Sequence, residues 1–260
     1  MFEHFVTGKT LPEAYHNALL ALYENNELLP CPDYNTTQKE ASVTFVCEEP
    51  LAEPMISRLF IGDPHSLEQY RQEMLDGILD FEVERGNWEY TYHARMADQL
   101  PWVVAELQRN PDTRRAVISI RKEQDLELDS PACLQNIQYF IRGGKLHCKV
   151  LFRSNDAVKA SFMNAYALVR LQERIAAQVG VLVGTYTHRA NSYHVYERDF
   201  GLFEGYIRRI KSGTVPRLGV EQEWLSVLDT TYDYTGDWDE QMESEKDSIA
   251  ELVRQLRDER

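Results

Sequence analysis

The chain carries 28 basic and 42 acidic residues among 260, a formal charge of −14, with 43% hydrophobic and 27% charged residues, 13 Gly and 10 Pro. That balance excludes disordered, collagen-like and low-complexity chains, and the absence of any apolar run near the roughly 20 residues a bilayer demands predicts a cytoplasmic protein with no membrane partner. The net charge opposes a nucleic-acid backbone, so no nucleic-acid partner is expected and any anionic ligand must be held by clustered arginines.

In chain order, residues 12–26 place Ala14, Leu19, Leu20 and Leu22 at mostly helical spacing, and 41–47 (ASVTFVC) is rich in strand formers, predicting a helix then a strand as the opening. Residues 65–83 and 95–109 read as helices, the second ended by Pro111, after which Arg114 and Arg115 open a strand, RRAVISIR. NIQYFIR and KLHCKVLF flank Gly143-Gly144, two residues able to take positive φ, and so predict a hairpin over 136–152. A long apolar helix follows at 159–179, with Phe162, Tyr166, Val169, Ile175 and Val179 on its buried side; GVLVGTYTHR and NSYHVY read as two strands, and 198–213 as a helix closed by Gly213. EQEWLSVL reads as a short further element. The acidic stretch 232–247 leads to a last amphipathic helix through Ile249, Leu252, Val253 and Leu256. Strands and helices without a βαβ rhythm predict an α+β fold, a single domain over residues 1–235 with an acidic linker and C-terminal helix at 236–260.

Chemistry enters through the hairpin. A two-residue turn pairs Arg142 with Lys145 and carries Cys133 opposite Ser154, beside Arg153, at the open end of the ladder. The thiol then lies within about 5–8 Å of a guanidinium, close enough to lower its pKa and raise the nucleophilic thiolate fraction. The same placement suits a small packing residue, and a bulge would shift it. Cys31, Cys47, Cys133 and Cys148 form no CxxC pair, so neither a metal nor a disulfide framework is expected. Cys148, alternating with Leu146 and Val150, reads as core.

The stretch from CLQNIQYFIRGGKLHCKVLFRSND to SYHVYERDF, together with NPDTRR at 110–115, resembles the thymidylate synthase superfamily, nearest its pyrimidine nucleotide hydroxymethylase branch. The resemblance is good over about residues 100–200 and weaker over 40–95. It implies a mainly antiparallel or mixed sheet covered by helices, a homodimer, and transfer of a one-carbon unit from 5,10-methylenetetrahydrofolate to C5 of a pyrimidine nucleoside monophosphate. The chemistry requires a thiolate that adds to C6 and makes C5 nucleophilic, the role implied for Cys133. Arg153 and Ser154 are implied to hold the 5′-phosphate, with Arg114 and Arg115 reaching over from the other subunit. Asp156 matches the carboxylate that accepts from the folate pterin, and Asn164 the amide that reads the base, where an amide rather than a carboxylate leans to uracil. His194 and Tyr196 match the pair that holds the sugar. Glu73 is matched to the glutamate that relays protons, with Glu68 its rival.

Departures bear on the product. Leu134, Phe152 and Ser192 stand where synthases carry histidine, glutamine and aspartate, and the short closing C-terminal segment of the synthases has no counterpart. A less closed site favours water as the final nucleophile, hence a hydroxymethyl product; methylation of dUMP is the alternative, and a noncatalytic nucleotide-binding homologue a third.

Overall fold

Gly143 (φ 58°) and Gly144 (φ 73°) both adopt the left-handed conformation, and they form the tight turn between strands β5 (Leu134–Arg142) and β6 (Lys145–Asp156). The computed structural model describes residues 2–25, 27–57, 59–62 and 64–214. EQEWLSVL, the 1–235 boundary, the acidic stretch and the C-terminal helix fall outside the described residues.

The chain opens with a strand rather than a helix: β1 (Glu3–Gly8) pairs in parallel with β3 (Thr36–Cys47). It is short and polar at its ends, which hid it in the sequence. Helix α1 (Leu11–Glu24) follows, with Pro12 in its first turn and the Thr10 side chain accepting from the Glu13 N–H at 3.4 Å. Its Leu11, Ala14, Tyr15, Ala18, Leu19 and Leu22 are buried, the i, i+3, i+4, i+7 stripe of a helix on a sheet. A three-residue strand, β2 (Leu29–Cys31), pairs antiparallel with the start of β3.

The predicted helix over 65–83 ends early, as α2 (Pro64–Asp76), because Gly77 turns left-handed (φ 69°); one turn, α3 (Phe81–Glu84), follows. The predicted helix over 95–109 is two, α4 (Tyr92–Met96) and α5 (Leu100–Arg109), since Pro101 starts a helix and cannot continue one. RRAVISIR contributes only β4 (Val117–Ser119). After β6, α6 (Ser161–Val179) ends at Gly180 (φ 79°). The two predicted strands at 180–196 are one, β7 (Leu182–Tyr196), because nothing between Arg189 and Asn191 makes a turn and neighbours on both sides pair with it. The chain then forms α7 (Phe200–Ser212), closed by Gly213 as expected.

The sheet is mixed, in the order β1-β3-β7-β6-β5-β4 with β2 also on β3; β1/β3 and β6/β7 are parallel and the other pairs antiparallel. Helices α1, α6 and α7 cover one face, burying Phe45, Leu146, Cys148, Val150, Phe152 and Tyr186. On the opposite face Thr44, Leu151, Thr187 and Arg189 stay half-buried and Phe5 is 70% exposed. Among the described residues no helix is long and apolar enough to cross a membrane.

One buried and one half-buried histidine make stability pH-dependent. His188 is stacked between Phe45 (centroids 4.5 Å apart) and Phe152 (4.7 Å); its Nε2–H donates to Asn155 Oδ1 at 2.9 Å and its Nδ1 accepts from the Tyr186 hydroxyl at 2.9 Å. Burial pulls its pKa to about 3, and that of His16, against Ser57 Oγ at 2.6 Å, to about 4. The unfolded chain therefore binds protons below about pH 6.5 that the folded one does not, so stability falls with decreasing pH, by up to about 1.4 kcal/mol per pH unit for each histidine. Urea midpoints should drop between about pH 6.5 and 4.5. His16→Asn should flatten that slope.

Candidate active site

Cys133 sits one residue before β5, at an irregularity. Pairing follows the predicted register from Arg142/Lys145 to Asn136/Leu151, then shifts by one, so that Leu134 meets Phe152. Gln135 is the extra residue of a β-bulge. Cys133 therefore faces Arg153 rather than Ser154, as the Arg153 N–H donates to the Cys133 carbonyl at 2.8 Å.

The loop before the cysteine is tied down. Arg153 donates through Nη2 to the Pro131 carbonyl (2.6 Å) and through Nε to the Ala132 carbonyl (3.2 Å), and Gln135 Nε2 donates to the Ala132 (2.7 Å) and Cys133 (3.2 Å) carbonyls. Four hydrogen bonds on three consecutive carbonyls fix the loop that carries the thiol. Its acidity differs from the expectation. Burial pushes the Cys133 thiol pKa up, and the Arg153 charge only partly opposes this. Desolvation wins; two guanidinium N–H groups are directed at carbonyls.

Three phenols share this environment. The Tyr70, Tyr90 and Tyr92 hydroxyls all interact electrostatically with Cys133, and burial holds each pKa above the usual phenol range, Tyr90 at about 12. The Tyr92 hydroxyl accepts from the Leu134 N–H at 3.4 Å, and the Arg95 guanidinium lies over the Tyr90 ring, 5.2 Å from its centroid. Sequence reasoning missed all three tyrosines. For Tyr90 and Tyr92 the alternating aromatics of WEYTYH were the available signal.

Asn164 lies in the first turn of α6, buried, and its Oδ1 accepts from the Tyr70 hydroxyl. That bond links Asn164 to the surroundings of Cys133. On β6 and β7, Asp156 stands opposite His194 and Ser154 opposite Ser192. Asp156 Oδ1 accepts from the Val158 (3.0 Å) and Lys159 (2.9 Å) N–H groups, fixing the turn into α6. Burial raises the Asp156 pKa and lowers that of His194, whose Nδ1 lies 3.3 Å from both Ser192 Oγ and the Ser192 carbonyl. His194 packs edge-on to Tyr196, with centroids 4.7 Å apart. Asp156 Oδ2 has no hydrogen bond among the described residues. No group of three His, Cys, Asp or Glu among them could hold a metal.

The remaining candidates separate. Glu68 is buried and satisfied within its own helix, ion-paired with Arg71 at 2.6 Å and accepting from Gln72 at 3.0 Å. Glu73, half-buried one turn beyond Tyr70, bears electrostatically on that phenol. Tyr70, on α2, thus bonds to Asn164 and interacts electrostatically with Cys133 and Glu73. Arg114 and Arg115 are exposed at the far end of the β4/β5 ladder: Val117 pairs with Gln138, and the antiparallel direction carries Arg115 away from Cys133. At about 3.3 Å per residue the two backbones are about 20 Å apart, beyond an arginine's reach within one protomer.

Comparison with known proteins gives the family. The family model described as thymidylate synthase matches residues 68–235. A protein from Methanocaldococcus jannaschii bearing the name "Putative thymidylate synthase" is 30% identical over 207 residues, covering 76% of this chain and 93% of its own. One from Methanosarcina barkeri, of the same name, is 27% identical over 208 residues, covering 79% and 95%. Among solved structures, thermostable thymidylate synthase A from Bacillus subtilis shares the fold, with a TM-score of 0.61 at 15% identity over 76% of this chain and 84% of that one. The chain belongs to the thymidylate synthase family, and it is a one-carbon transferase.

Proposed function

We propose that the protein is a C5 hydroxymethyltransferase of pyrimidine nucleoside monophosphates that uses 5,10-methylenetetrahydrofolate and works as a homodimer. The observation that carries this reading is the tethering of Cys133 beside Arg153, in electrostatic contact with Tyr70, Tyr90 and Tyr92, of which Tyr70 bonds to Asn164. Cys133 adds to C6 of the base, which makes C5 nucleophilic; the folate supplies the methylene group when bound. Arg153 and Ser154 bind the phosphate, His194 and Tyr196 the sugar, Asn164 the base edge and Asp156 the pterin. Glu73, which bears electrostatically on Tyr70, relays protons. Hydroxyls around the reacting thiol can hold the water that completes a hydroxymethyl group, whereas a synthase must exclude water until hydride arrives.

The dimer reading rests on the sheet face that no helix covers among the described residues, where Phe5 is 70% exposed, and on Arg114 and Arg115, both exposed and out of reach of Cys133 in their own protomer. A second copy would cover that face. Methylation of dUMP is the second reading, favoured by the amide at Asn164 and by the names of the relatives.

The test incubates UMP, dUMP, CMP and dCMP with methylenetetrahydrofolate. A product heavier by a hydroxymethyl group, with tetrahydrofolate left unoxidised, is expected. A methylated product with dihydrofolate makes the protein a synthase. No product from any of the four refutes both.

A further inference from the structure

The partly buried hydrogen bond between two elements that are distant in sequence, α2 and α6, has a bearing on which base is accepted. We propose that Tyr70 is a positioning residue that fixes the amide orientation of Asn164, and thereby sets a preference for uracil over cytosine. This deepens the proposed function and rests on its reading of Asn164 as the residue that meets the base.

A primary amide presents an acceptor on one side and two donors on the other, and rotation by half a turn exchanges them. In solution the two orientations are nearly equivalent. Here they are not, because the Tyr70 hydroxyl donates to Asn164 Oδ1. That phenol keeps its proton: burial is the main cause, and Tyr92, Glu73, Tyr90 and Cys133 act in the same direction. It is therefore available as a donor at any pH the protein survives. With Oδ1 engaged, Nδ2 carries free donors and Oδ1 retains one lone pair. Uracil offers an acceptor at O4 and a donor at N3–H, and this amide edge matches both.

Cytosine offers a donor amine and an acceptor at N3. To meet it, the amide must turn over and put Nδ2 against Tyr70. The phenol proton then loses its acceptor in a partly buried place beneath the bound base, and a desolvated donor without a partner is costly. The penalty falls on the cytosine complex alone, so discrimination arises from a residue that need not touch the base. The donated bond also polarises the amide and strengthens its N–H groups as donors to O4, where charge builds up once the thiolate has added to C6.

The test measures calorimetric Kd values for UMP, CMP, dUMP and dCMP with wild type, Tyr70→Phe, Asn164→Ala and the double variant, each checked for an unchanged melting transition. Tyr70→Phe removes one oxygen and keeps the ring. The wild type should prefer uracil, Tyr70→Phe should reduce the uracil-to-cytosine ratio about tenfold, and Asn164→Ala should abolish the preference. In the Asn164→Ala background the further loss of the hydroxyl should leave the ratio where it is. If Tyr70→Phe leaves the ratio unchanged while Asn164→Ala alters it, Tyr70 does not position the amide, and the reading of Asn164 stands. If Tyr70→Phe changes the ratio equally in both backgrounds, the phenol acts without Asn164 and the inference is wrong. If Asn164→Ala leaves the ratio unchanged, or wild type binds none of the four, the reading of Asn164 fails and the inference with it.

Discussion

Cys133→Ser protein should bind nucleotide within about tenfold of wild type and lose turnover by on the order of a thousandfold or more. A hydroxyl fills nearly the same space as the thiol, and the tethers from Arg153 and Gln135 act on backbone carbonyls, so the loop keeps its shape. What disappears is the nucleophile, since a serine hydroxyl at neutral pH has no appreciable anionic fraction. Because burial raises the Cys133 pKa, inactivation of wild type by an alkylating reagent should keep accelerating with pH beyond the ordinary thiol range. Bound nucleotide should protect. Cys148 is fully buried and Cys47, also buried, has its pKa pushed up to about 12, so neither should react comparably. Near-normal turnover by the serine variant removes Cys133 from the mechanism.

Mixing Arg115→Ala protein with Cys133→Ser protein should restore activity that neither has alone. If each site joins one protomer's cysteine to its partner's arginine, a mixed dimer contains one site with both groups intact and one with neither. With random exchange of subunits, about a quarter of wild-type activity is expected. Exchange verified by mass spectrometry, with no activity regained, overturns the shared site.

Local patterns with strict periodicity were legible in the sequence. The Gly143-Gly144 turn, the α6 stripe and Gly213 as a helix stop each follow from steric rules acting over a few residues, and each stands in the structure. The hairpin register held for seven pairs of residues and failed at Gln135, because nothing local reveals where a ladder takes in an extra residue. β1 was hidden for a different reason: what makes it a strand is β3, more than thirty residues away. For the site, Cys133 and Arg153 were legible through the hairpin. Tyr70 was not, because its significance lies in a contact with Asn164 across ninety-four positions, and a tyrosine on a helix is more often packing. The thiol's acidity was misjudged as well: a neighbouring arginine is visible in a sequence, whereas the depth of burial that outweighs it is not.

The place of β7 between β3 and β6 has a consequence for synthesis. β3 is laid down by Cys47, yet Phe45 stands opposite His188 and Gln38 opposite Tyr196. At about 5–20 residues per second, the ribosome needs on the order of ten seconds to deliver that partner. Throughout this interval β3 has an open edge, and Val43 and Phe45 lack the neighbour strand on which their burial depends. Such an edge invites pairing with another nascent chain. The most hazardous moment for this enzyme thus comes before translation ends, and slower initiation or a holding chaperone should raise the soluble yield more than any change to the finished fold.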